Sequence, residues 1–88
     1  MLRVFIERRV VEMSRPRINV ANTAVNLKNL RKKNGLCVKE LQKLLGFEFP
    51  QAIYKWERGE NLPSLDNFVV LSRVYNVPVD DLLVVDEG

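Results

Sequence analysis

Where the glycines and prolines fall does most to restrict this fold. Gly35, Gly46 and Gly59, together with Pro50, Pro63 and Pro78, cut residues 18–84 into short pieces. Each piece carries the three- and four-residue apolar spacing of a helix that buries one face. Val20, Ala24, Leu27, Leu30 and Arg31 predict a first helix that stops at Asn34-Gly35, and Val38, Leu41, Leu44 and Leu45 predict a short second one ending at Gly46. Pro50 suits the first position of a third helix, whose inward face is Ile53 with Trp56 and which halts near Gly59. Ser64 is placed to cap a fourth helix with a stripe of Leu65, Phe68, Val69, Leu71, Ser72 and Tyr75. Asn76 can take its left-handed cap. Pro78 then opens a short fifth helix, with Asp80 and Asp81 in its first turn and Leu82 and Leu83 facing inward.

At 88 residues there is room for one core. A single cysteine, Cys37, and no histidine leave neither a disulfide framework nor a usual zinc site. They also remove the ordinary general base near neutral pH. No cofactor, metal or enzymatic activity is therefore expected. Charge is uneven: residues 1–35 carry nine Lys/Arg against two acids, and residues 36–88 carry five against nine. A cationic half suits a polyanionic partner, although charge alone also fits solubility or an acidic protein.

No stretch approaches the roughly 20 apolar residues that span a bilayer, and the apolar run between Leu2 and Ile6 is too short for a secretory signal. The expectation is a cytoplasmic protein with no membrane association. Residues 1–17 read as an N-terminal arm, residues 18–84 as the domain, and residues 85–88 as an acidic tail. In the arm, Val4-Phe5-Ile6 and Val10-Val11 are β-prone, so the alternatives are a short strand and disorder, with disorder the favoured reading. Ser14-Arg15-Pro16-Arg17 reads as a linker. Met13 is also a candidate start, because Arg8-Arg9 can be encoded by AGG-AGG, a purine-rich signal just upstream of it. Other arginine codons at both positions would remove that idea.

Residues 38–57 supply two short helices around a Gly-containing turn, with polar side chains on the outer face of the second, a geometry suited to the major groove. The series Gly35-Leu36, Lys39-Glu40-Leu41, Leu44-Leu45-Gly46, Ile53-Tyr54-Lys55-Trp56-Glu57-Arg58-Gly59, Leu62-Pro63-Ser64-Leu65 and Asp80-Asp81-Leu82-Leu83 resembles the Cro and phage-repressor-like (Xre-type) helix-turn-helix regulators. The likeness covers roughly residues 22–84, and is strongest to a short bacterial branch with Pro-Gln-Ala-Ile-Tyr-Lys-Trp in the recognition helix. It implies an all-α, compact five-helix, lambda-repressor-like DNA-binding domain. Such a domain inserts helix 50–57 in the major groove of a double-stranded operator, commonly as a homodimer.

With Ile53 and Trp56 inward, Pro50, Gln51, Ala52, Tyr54 and Lys55 lie on or near the outward arc and are the candidate base contacts. Gln suits adenine N6 and N7, Lys suits guanine O6 or N7, and Ala or an aromatic edge suits a thymine methyl. Tyr54 has a second option, folding onto the scaffold with its hydroxyl toward a phosphate. Candidate phosphate contacts are Val38 and Lys39 at the start of helix two, and Arg58 and Asn61 after helix three. Lys39 and Arg58 fit solvated charges equally well. The resemblance gives Arg31 and Glu57 a structural role, as an ion pair joining helix one to the end of helix three.

Four features depart from the family pattern, the first being Val38, which stands where a Gln often begins helix two and binds phosphate, so that contact loses its side chain. The segment between Gly46 and Ile53 is one residue longer than usual, Gln42 stands where a small residue commonly lets helices two and three approach, and Phe49 stands where a cap is usual. For Phe49, packing with Phe47 in the core is favoured over contact with a thymine methyl. The leading expectation is thus a sequence-specific transcriptional regulator of the repressor type. An antitoxin that represses its own operon, and an interaction module without DNA binding, are the alternatives. Dimer contacts are expected either from Val77, Val79, Leu83 and Val84 or from the N-terminal strand.

Overall fold

The computed structural model describes residues 2–13 and 15–87. Met1, Ser14 and Gly88, which belong to the expected arm, linker and tail, lie outside them. The order is β1 (Leu2–Ile6), β2 (Arg9–Met13), β3 (Arg17–Ile18), α1 (Val20–Lys33), α2 (Val38–Leu45), α3 (Gln51–Glu57), α4 (Leu65–Tyr75), a single 3-10 turn (Val79–Asp81) and β4 (Val85–Asp86). Among the described residues there are therefore four α-helices where five were expected, and the fold is not purely α.

Each helix stops as its terminal residue dictates. At the end of α2, Gly46 has φ 71°, while its N–H reaches the Lys43 carbonyl at 3.1 Å and the Phe47 N–H reaches the Gln42 carbonyl at 3.0 Å. This paired closure needs a left-handed residue, which glycine adopts without a Cβ penalty. Asn76 does the same for α4 at φ 54°. Starts are capped by side chains: Asn19 accepts from the Asn22 N–H at 2.9 Å, and Ser64 from the Asn67 N–H at 3.2 Å. At α2 the cysteine is assisted by Glu40, whose Oε1 accepts the Cys37 backbone N–H at 3.0 Å. That bond, from the backbone first and the thiol second, holds the Glu40 carboxyl below its ordinary pKa.

The core is Leu27, Leu41, Ile53, Trp56, Phe68, Leu71, Tyr75 and Leu82. On α4 the buried stripe is narrower than expected: Phe68, Leu71 and Tyr75 are inside, but Leu65 and Val69 are exposed. Leu65 is the first helical residue after the Ser64 cap, and Val69 follows Phe68 round the helix away from the core.

The fifth helix fails because its backbone groups are claimed by α1. Asn26 Nδ2 donates to the carbonyls of Asp81 at 2.8 Å and Leu82 at 3.1 Å, and the Val84 N–H donates to Thr23 Oγ1 at 2.9 Å. Two consecutive i to i+3 bonds close a short 3-10 segment before this clasp takes over, with Asp81 N–H on the Pro78 carbonyl at 3.0 Å and Leu82 N–H on that of Val79 at 2.9 Å. Beyond it, Val85 and Asp86 pair antiparallel with Ile18 and Arg17. The Asn19 N–H donates to the Val84 carbonyl at 2.7 Å.

The N-terminal segment is a β-hairpin, the strand alternative rather than the favoured disorder. Leu2 pairs with Met13, Val4 with Val11 and Ile6 with Arg9 across a two-residue loop, Glu7-Arg8, in which both φ angles are positive. Such a loop matches the right-handed twist of its strands. Leu2, Phe5, Ile6, Val10 and Met13 are all exposed.

The clasp makes a direct prediction. Thr23→Val keeps the shape of a fully buried side chain but leaves the Val84 N–H without its acceptor. It is expected to lower unfolding free energy by roughly 1–3 kcal/mol in urea titration. A variant as stable as the parent contradicts the clasp.

Candidate nucleic-acid interface

α3 is only seven residues long, and its orientation comes from what it buries. Ile53 is fully buried and Trp56 nearly so, while Gln51, Tyr54 and Lys55 are exposed. Pro50 and Ala52 are half-buried, and Ala52 packs against the core, so its methyl is less available than the outward arc implied. Helical geometry puts Gln51, Tyr54 and Lys55 on neighbouring positions of one face, opposite Ile53 and Trp56.

The far end of α3 is fixed by charge. Arg31 Nε donates to Glu57 Oε2 at 2.8 Å and Nη2 to Oε1 at 2.9 Å, a two-pronged contact between side chains about nine-tenths buried. The remaining nitrogen, Nη1, donates to the Leu36 carbonyl at 2.9 Å. One guanidinium thus joins the last turn of α1, the α1–α2 turn and the end of α3. The hydrogen bond to Glu57 raises the Arg31 pKa further, against the opposing effect of burial. Tyr75 stands beside this pair, and burial pushes its phenol up to about 12, with Glu57 adding to the rise and Arg31 opposing it.

The near end of α3 is fixed by Gln42. Its Nε2 donates to the carbonyls of Phe47 at 3.2 Å and Glu48 at 3.0 Å, so the longer turn is tied down by the side chain that replaces a small residue. Phe47 is half-buried and meets Trp56 edge-on, with ring centroids 5.7 Å apart. Phe49 is not in the core with it: the residue is 61% exposed. It lines a shallow open groove with Gln51 and Ala52.

The flanking residues are placed as follows. Val38 is half-buried against the core, leaving its backbone N–H as the group it can offer outward. Lys39 and Asn61 are exposed. Arg58 is exposed and engaged in an ion pair with Glu60. Among the described residues there is no group of three or more His, Cys, Asp and Glu that could hold a metal ion, and no helix is long and apolar enough to cross a membrane.

A family model described as helix-turn-helix matches residues 27–82. The chain belongs to the helix-turn-helix family. This helix-turn-helix protein is also similar to solved structures. The restriction-modification controller protein C.AhdI from Aeromonas hydrophila is 25% identical, with a TM-score of 0.64 over 72% of this chain and 94% of that one. The BldD DNA-binding domain of S. venezulae is 21% identical, with a TM-score of 0.63 over 74% of this chain and 96% of that one, a likeness of fold. No curated protein sequence matches the chain.

Two outcomes test the seat of α3. Removing one member of the buried pair strands the other, so Arg31→Met or Glu57→Gln is expected to cost about 3–5 kcal/mol in denaturant unfolding. The Tyr75 phenol, ordinarily near 10, is held protonated by the fold. Its contribution is complete below pH 10 and is lost as pH rises toward 12. Unfolding free energy should therefore drop by about 2–3 kcal/mol across that window, and less steeply in Tyr75→Phe.

Proposed function

We propose that this helix-turn-helix protein is a repressor that binds a two-fold operator as a homodimer, with the outward face of α3 in the major groove. DNA binding and transcriptional regulation go with the family. The similarity to a restriction-modification controller protein and to a DNA-binding domain points the same way. The observation that carries the groove assignment is the division of α3 between Ile53 and Trp56, which are buried, and Gln51, Tyr54 and Lys55, which are free.

In this reading Gln51 bridges N6 and N7 of an adenine, and Lys55 reaches O6 or N7 of a guanine. Tyr54, exposed beside them, and the half-buried Pro50 and Ala52 contribute shape and apolar contact. The backbone N–H of Val38 and the side chains of Lys39 and Asn61 meet phosphates and set the register. Arg58 joins them once it leaves Glu60, an exchange of one exposed ion pair for another that costs little.

One short helix reads only a few base pairs, so selectivity calls for two copies on two half-sites. Of the C-terminal candidates for that contact, Val77, Val79 and Leu83 pack against the protein's own core, and Val84 is half-buried with its N–H on Thr23. The hairpin is the better candidate. An isolated two-stranded hairpin is marginal in water, and Phe5 is 78% exposed. We assign the dimer contact to it.

Gln51→Ala and Lys55→Ala should leave the unfolding midpoint unchanged and cost about 1–3 kcal/mol at the preferred site. Binding should also fall steeply and linearly in log affinity against log salt. Loss of stability with unchanged site preference would return both residues to the scaffold. In sedimentation, Phe5→Asp is expected to shift the free protein toward monomer, and an unaltered association state would move the dimer contact elsewhere.

A further inference from the structure

We infer that Phe49 reads the 5-methyl group of a thymine, standing beside Gln51 as an apolar reader; this deepens the function proposed above and rests on it. The α2–α3 turn carries two phenylalanines two residues apart, and the fold uses them in opposite ways. Phe47 meets Trp56 edge-on and closes the core, whereas Phe49 is left 61% exposed. The core is thus complete without the second ring.

The exposed ring sits on a constrained backbone. Gly46 ends α2 in the left-handed conformation, and the Phe47 N–H is held by the Gln42 carbonyl at 3.0 Å. The Gln42 amide then takes the carbonyls of Phe47 and Glu48 at 3.2 and 3.0 Å, the two peptide units leading into Phe49. Pro50 follows at once and restricts the backbone on the other side. The Gln42 amide thus fixes the backbone that carries Phe49.

The place it is held in is continuous with the face of α3. Phe49, Gln51 and Ala52 line one open groove. A phenyl ring offers no hydrogen-bond donor or acceptor and no charge, so it gains nothing specific from a phosphate or from the polar edge of a base. The apolar group that a base edge presents in the major groove is the thymine C5-methyl, and an aromatic side chain is a suitable contact for it. Covering that methyl removes apolar surface of both partners from water.

The test uses the full chain and a random-sequence duplex pool. The enriched duplex is resynthesised with each thymine in turn replaced by uracil, which deletes the methyl and nothing else. One thymine in each half-site is expected to matter, its replacement weakening binding by the parent about four-fold, the factor for one buried methyl-sized group. Phe49→Ala should fold with an unchanged unfolding midpoint and bind the thymine and uracil duplexes equally.

Equal binding of the parent to every uracil duplex overturns the assignment. So does uracil sensitivity that persists in Phe49→Ala. A changed association state of Phe49→Ala without DNA assigns the ring to a protein contact, and overturns it too. A pool that yields no enriched duplex removes the DNA-reading account and this role with it. Enrichment without a uracil effect removes the role of Phe49 alone.

Discussion

The seat of α3 depends on one buried ion pair. Arg31 spends both prongs on Glu57 and its last nitrogen on the Leu36 carbonyl, so three parts of the chain share one guanidinium. Taking both charges from water is costly, and apolar residues of the same volume could hold the helices together as strongly. What the pair adds is geometry, because a planar fork meets a carboxylate in few orientations. With the end of α3 fixed in rotation, Ile53 and Trp56 turn inward, and the opposite face has nowhere to point but outward.

A second set of contacts closes the molecule behind this face. Thr23 and Asn26 on α1 take up backbone groups of the C-terminal segment, and the short β3–β4 ladder continues the same contact. Leu82, fully buried at the centre of that segment, supplies the apolar side of the clasp. α1 is thereby held by Arg31 toward α3 and by Thr23 and Asn26 toward the C-terminal segment. The backbone under the outward face of α3 is thereby fixed before any partner arrives, which lowers the ordering cost of binding.

Much of this was legible in the sequence because it is local. Gly35, Gly46 and Asn76 mark their helix ends through backbone sterics alone, and the spacing of Ile53 and Trp56 sets the buried side of α3. The Arg31 and Glu57 partnership came from a resemblance, since no local rule joins residues so far apart in the chain. Where the structure differs, a contact that no pattern of apolar spacing encodes decided the outcome. The fifth helix looked well formed until Asn26 and Thr23 took its backbone partners. Gln42 stands where a small residue is common, and its amide bonds the carbonyls of the longer turn that follows. Phe49 has the chemistry of a core residue, but Phe47 already packs against Trp56 there and Phe49 stays exposed. The hairpin was hidden because Glu7-Arg8 lacks the Asn or Gly that usually announces a two-residue loop.

The central claim is that the exposed side of α3 lies against base edges. It is tested most directly by filtered nuclear Overhauser spectroscopy on the labelled chain bound to an unlabelled duplex taken from a selected pool. Cross-peaks from the side chains of Gln51 and Lys55 to major-groove base protons are the result the account requires. A stable complex in which those side chains show only water, and the protein's contacts come from the hairpin or α4 instead, would contradict it.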